Sequence, residues 1–235
     1  MKSNTFRFKQ FDVKQDKCAM KVNTDGVLLA AWAQLNSAKT ILDIGTGTGV
    51  LALMMAQKNP EAIIDAIDID EDAFLQAKEN FTNCKWSERL KAYHYSLQNF
   101  SPDRKYDIII SNPPYFMDDL KADNPQKNIA KHSVALNYEE LISGINFLLN
   151  KNGSAFIEIP AFNYPLLMNE AEKHNLFVNN KTDVISIAGK AAYLSLIELS
   201  YKAAILKETT LTISNPDNSF TSEYIALTKD FYLKF

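Results

Sequence analysis

The chain has 235 residues and a mass of 26.5 kDa, with 46% hydrophobic, 11% aromatic and 23% charged residues. That balance excludes a disordered chain, and the length suits one domain with a large core. The formal charge of −3 excludes binding of nucleic acid through bulk positive charge, so any basic contact surface must be local.

Residues 1–36 come first as an N-terminal extension, in which Thr24 is the expected N-cap of a helix over 25–33. A strand is predicted at 40–44 (TILDI) and a helix at 50–57. A second strand follows at 62–69, then a helix at 71–80 that opens on two acids behind Asp70 as N-cap. Strands are predicted at 90–95 and 106–111, a helix at 138–149, a strand at 153–159 and a helix at 162–174. The last two main strands lie at 183–187 and 192–200. Residues 208–235 form a C-terminal addition with a turn at 215–218 and a helix near 222–231. The alternation over 40–202 predicts an α/β fold with a seven-stranded, mostly parallel, doubly wound sheet. Ligands of such sheets sit at the carboxyl ends of the strands, near the point where the winding reverses.

Cys18 and Cys84 are far apart, and neither a CxxC pair nor a Cys/His cluster exists, so free thiols and no metal site are expected. The start of the chain has no apolar signal-peptide core. Its apolar runs, such as 27–33 and 50–56, fall well short of the ~20 residues that span a bilayer. A cytoplasmic protein without membrane contact or an obligate protein partner is the expectation.

Of the 7 glycines, Gly45, Gly47 and Gly49 fall within five positions, between the first strand and its helix. Glycines there allow positive φ and close backbone approach to a ligand. A tight structural turn is the competing reading, since GxGxG is neither the dinucleotide fingerprint nor a P-loop. Asp68, about 20 residues on at the end of the second strand, sharpens the ligand reading. A carboxylate there can accept both ribose hydroxyls of an adenosine. The acid Asp43, the glycine loop and Asp68 together resemble the S-adenosylmethionine site of Rossmann-like methyltransferases. The resemblance implies that Asp43 helps fix the methionine end and that the loop passes beneath the ribose. It also places Ser96, beside Leu97, where the family often has an acid for the adenine amine; a hydroxyl accepts that bond more weakly.

The fourth strand ends in Asn112-Pro113-Pro114-Tyr115. A rigid strand exit is the bland reading of two prolines. The chemical reading is an acceptor pair for a planar NH2 whose lone pair is delocalised. The Asn112 side-chain oxygen and the Pro113 carbonyl can both accept its N–H bonds, and Pro113 has no N–H to compete. Tyr115 can stack on the planar substrate. A base within folded nucleic acid must be extruded to reach such a pocket.

This tetrapeptide is shared by methyltransferases of DNA adenine, RNA adenine, RNA guanine and protein glutamine. The flanks narrow the choice. Phe8-Lys9-Gln10-Phe11-Asp12-Val13, Cys18-Ala19-Met20-Lys21-Val22, Thr24-Asp25-Gly26-Val27-Leu28-Leu29 and the end Phe231-Tyr232-Leu233 resemble the bacterial valine-tRNA adenine-N6 methyltransferases. The resemblance implies S-adenosylmethionine as methyl donor and the adenosine 3′ of the anticodon as target, with glutamine or another base as the alternative. Asn23 departs from the glycine expected there, and is read as a residue that tolerates left-handed backbone. Residues 1–22 carry six basic side chains against two acids, interleaved with Phe6, Phe8 and Phe11. Arg7, Lys9 and Lys21 there, with Lys127 and Lys131 after the tetrapeptide, are the candidate RNA contacts. An edge strand with one solvated face explains the N-terminal pattern equally well.

Overall fold

The computed structural model describes residues 4–113 and 137–235. In chain order these form β1 (Thr5–Arg7), β2 (Asp12–Lys14), α1 (Thr24–Trp32), β3 (Thr40–Ile44), α2 (Val50–Lys58), β4 (Ile63–Asp68), α3 (Glu71–Thr82) and β5 (Leu90–His94). There follow β6 (Tyr106–Ser111), α4 (Tyr138–Leu148), β7 (Leu149–Pro160), α5 (Tyr164–Lys173), β8 (Phe177–Ile187), β9 (Ala192–Ser200), β10 (Lys207–Ser214) and α6 (Ser222–Thr228). The main sheet has the order β10-β8-β9-β7-β6-β3-β4-β5. Both pairings of β9 are antiparallel and every other pairing in the sheet is parallel. The winding reverses between β3 and β6.

The α/β expectation holds, but the sheet has eight strands where seven were expected. The additional strand is β10, parallel to β8. Its first half, Lys207-Glu208-Thr209-Thr210, is exposed, so polar composition hides it, and pairing to the sheet edge decides it.

Alternation along the strands feeds two cores. Ile41, Ile64, Ile108 and Phe156 pack with the buried faces of α1, α2 and α3. Leu42, Ile67, Ile109 and Ile157 pack with Leu141, Ile142 and Ile145 of α4 and Leu167 of α5. Met54 and Met55 are fully buried in the first core. The N-terminal aromatics are absorbed there too: Phe8 and Phe11 stack at 4.7 Å, and Phe11 meets Trp86 edge-on at 5.8 Å. Phe8 also bridges to Tyr232, joining the two chain ends. Their alternation with basic residues leaves Arg7, Lys9 and Lys14 exposed around a small β1–β2 ribbon.

Helix α1 starts one residue earlier than expected. Its N-cap is Asn23, whose side-chain oxygen accepts from Gly26 N at 3.0 Å. The backbone of Asn23 is extended, at φ −127, so this asparagine serves as a cap and not as a left-handed residue. At the other end, Lys58 Nζ donates to the carbonyls of Ala30, Ala31 and Ala33 at 2.9, 2.8 and 2.5 Å. These are the carbonyls that a helix terminus leaves without partners. Lys58→Met keeps the aliphatic stem but removes all three bonds, and should cost about 2–3 kcal/mol in urea unfolding. An unchanged midpoint would show that water satisfies these carbonyls as well.

Candidate active site

Register builds the site. Ile44 at the end of β3 pairs with Ile67 on β4 and Ser111 on β6, and Asp68 pairs with His94 on β5. The carboxyl ends are therefore level, and the glycine loop, Asp68 and Asn112 emerge side by side at the reversal point. Ser111 Oγ donates to the Ile44 carbonyl at 2.9 Å, fastening the two central strands at that edge.

The glycine loop folds back on β4: Gly45 N and Thr46 N donate to the Ile67 carbonyl at 2.9 and 3.0 Å. Gly45 and Gly49 have φ of 71° and 82°, which side-chain-bearing residues rarely adopt. Their surroundings differ. A Cβ at Gly45 would meet nothing within 4 Å, whereas one at Gly49 would lie 2.6 Å from Phe81 Cε1. Gly45 thus presents bare backbone to open space, and Gly49 lets α3 close on the start of α2.

Asp43 is fully buried. The two-residue period of β3 turns it toward α2, and its Oδ2 accepts from Thr46 Oγ1 at 2.6 Å and Ala52 N at 3.2 Å. Burial pushes its carboxyl up to about 7. Its Oδ1 has no hydrogen-bond partner among the described residues. Asp68 Oδ2 accepts from Gly47 N at 2.8 Å and its Oδ1 from Asp70 N at 2.9 Å. Each oxygen keeps a second acceptor position. Burial pushes Asp68 up from the ordinary carboxylate range, while the bonds from Asp70 N and Gly47 N pull it down. Asp70 itself caps α3 through Ala73 N at 2.9 Å, as expected.

A cavity of about 370 Å³ opens at this edge. Of the expected site residues, Gly45, Gly47, Asp68, Ser96, Leu97, Asn112 and Pro113 line it. Asp43 and Gly49 do not; they support the loop from behind. Tyr115, Lys127 and Lys131 lie outside the described residues.

Several lining residues were not foreseen: Cys18, Ala19 and Met20, Ile69 and Tyr95, and Asn137 with Glu140. Asn137 and Glu140 form a capping box at the start of α4, and the N-x-x-E spacing was the available signal. Cys18–Met20 had no local signal, because they are brought in by α3. Gln76 Oε1 accepts from Lys17 N at 2.9 Å, and Asn80 Oδ1 from Lys14 N at 2.9 Å. Asn80 Nδ2 donates to the carbonyls of Lys14 and Thr48, both at 2.8 Å, tying this segment to the glycine loop. Lys14 and Lys17 both bond Glu79, which holds that carboxyl down at about 2.

The N-terminal cations are therefore partly engaged within the protein. Lys9 Nζ donates to the Lys229 carbonyl at 2.6 Å, and Arg7 Nε lies 3.8 Å from Asp12. Lys21 is exposed next to Met20 at the cavity mouth. Both thiols are free, and burial pushes Cys18 up to about 11.

These residues fit S-adenosylmethionine. The open backbone at Gly45 can pass beneath a ribose, Asp68 has acceptor positions for its hydroxyls, and Ile67, Ile69 and Leu97 offer apolar surface for a purine. Among the described residues no helix is long and apolar enough to cross a membrane.

The sequence profile of the methyltransferase small domain family matches residues 18–170. A "tRNA1(Val) (adenine(37)-N6)-methyltransferase" of Christiangramia forsetii is 42% identical over 241 aligned positions, covering 100% of both chains. One of Parabacteroides distasonis is 43% identical, covering 97% of this chain and 98% of its own. One of Pseudoalteromonas translucida is 40% identical, with the same coverage, 97% and 98%. Among solved structures, a predicted O-methyltransferase from Agrobacterium tumefaciens aligns with a TM-score of 0.67 at 16% identity, over 88% of this chain and 96% of its own. A ribosomal protein L11 methylase from Lactobacillus delbrueckii aligns with a TM-score of 0.56 at 19% identity, over 80% and 83%. At those identities the likeness is one of fold.

Proposed function

The chain belongs to the tRNA1(Val) (adenine(37)-N6)-methyltransferase family, and from that membership we propose that it methylates the N6 amine of the adenosine 3′ of the anticodon in valine tRNA, in the cytoplasm. The observation that carries the reading is that Asn112 and Pro113 line the same cavity as the glycine loop and Asp68. An amine held by the first pair lies within reach of a cofactor held by the second.

When bound, S-adenosylmethionine supplies an electrophilic methyl group on a sulfonium. The protein's part is orientation. Asn112 Oδ1 and the Pro113 carbonyl accept the two N–H bonds of the target amine. That draws the nitrogen away from conjugation with the ring and points its lone pair into the cavity. The methylated nitrogen is acidic enough to lose its extra proton without a strong base. Tyr115 is assigned the stacking role on sequence grounds, and the target base is extruded to reach it.

The test is incubation with S-adenosylmethionine and total tRNA, followed by nucleoside mass spectrometry. A gain of N6-methyladenosine in valine tRNA is expected. Methyl label carried on protein after RNase digestion, with none in tRNA, would replace this reading by glutamine methylation.

A further inference from the structure

Gly26 occupies the first turn of α1 and is buried. A Cβ placed there would lie 3.3 Å from Asn112 Nδ2, 3.3 Å from Leu51 Cδ1 and 3.4 Å from Asn23 Oδ1. The amide nitrogen of Asn112 therefore rests against the bare Cα of Gly26. It is the nitrogen end of the amide that faces α1. In a planar amide this turns Oδ1 away from α1.

The helix that carries Gly26 is fixed at both ends. Tyr193 Oη, from β9, donates to Asp25 Oδ1 at 2.7 Å, and Lys58 holds the carbonyls at the far end. Leu51 of α2 closes the other side of the gap. With α1 held in this way, a methyl group at position 26 would press on both Asn112 Nδ2 and Leu51 Cδ1, and these side chains would have to give by a few tenths of an ångström.

We propose that Gly26 is a positioning residue for Asn112: the missing side chain sets both the place of the amide and which of its ends faces the substrate amine. This rests on the role given to Asn112 above. The residue belongs to the N-terminal extension, far in sequence from the tetrapeptide it would serve, which gives α1 a part in catalysis as well as in the core.

The test is Gly26→Ala, with three readouts. Alanine is the better helix former, which offsets the crowding, so the melting temperature should stay within about 3 °C. Cofactor Kd, by calorimetry with S-adenosylhomocysteine, should stay within about twofold, because the glycine loop and Asp68 are untouched. Single-turnover methyl transfer should fall roughly tenfold or more, as small misplacements of a positioning group do. The side-chain amide cross-peak of Asn112, identified by its loss in Asn112→Ala, should shift. Wild-type turnover with an unshifted peak overturns the proposal. So does a turnover loss matched by equal losses of melting temperature and cofactor binding. An inactive Asn112→Ala beside a fully active Gly26→Ala refutes the proposal alone. An active Asn112→Ala refutes the role of Asn112 and the proposal with it.

Discussion

Asn112→Ala is expected to lower the methyl-transfer rate about a thousandfold, close to 4 kcal/mol of transition-state stabilisation, with cofactor affinity changed less than about threefold. The asparagine oxygen is one of two acceptors that hold the amine, and Pro113 supplies the other through its backbone, which the substitution leaves in place. One remaining acceptor cannot fix the nitrogen geometry, because the amine rotates about its ring bond. The cofactor wall loses a single contact out of many, since Gly45, Gly47, Asp68, Ser96 and Leu97 also line the cavity. Single-turnover kinetics and equilibrium binding separate the two effects. A variant with near-normal rate would remove Asn112 from the reaction.

The opposite split is expected for Asp68→Ala. Cofactor Kd should rise about a hundredfold or more, roughly 2.8 kcal/mol, while the rate at saturating cofactor falls far less. Two losses combine. The acceptor positions for the ribose hydroxyls disappear, and the carboxylate bonds to Gly47 N and Asp70 N go with them. The second loss loosens the glycine loop and the entry into α3 together. Asp68→Asn keeps one acceptor oxygen without the charge, and should fall between wild type and alanine. Titration calorimetry with S-adenosylhomocysteine measures each; a Kd within threefold of wild type for Asp68→Ala would move the ribose site elsewhere.

The parts of this site that were readable in the sequence are those whose neighbours are local. Asp70 as N-cap, the glycine loop at the end of 40–44, and Asn112 at the end of 106–111 follow from strand and cap chemistry within a few residues. Other placements were decided by a distant partner. Asp43 and Gly49 flank the loop, and distant contacts set their surroundings: the pleat of β3 turns Asp43 under α2, and Phe81 of α3 claims the space at Gly49. Gln76 and Asn80 are polar residues of the predicted helix 71–80, and both are buried, where they hold the Lys14–Lys17 backbone. The alternation of Phe6, Phe8 and Phe11 with basic residues suited an RNA surface and an edge strand equally, and packing against Trp86 and Tyr232 decided that the Phe8 and Phe11 rings are buried.

By itself the sequence determined the α/β alternation, the chemistry of the two motifs and the family, because apolar periodicity, turn residues and motif types are properties of short stretches of chain. The tertiary structure decided which motif residues face the cavity, which N-terminal cations remain exposed, and that Cys18–Met20 form a wall of that cavity. It also decided that Gly26 lies against Asn112. Those facts depend on strand register and on helix faces meeting across dozens of residues, and no local pattern encodes the distance between two segments before they pack.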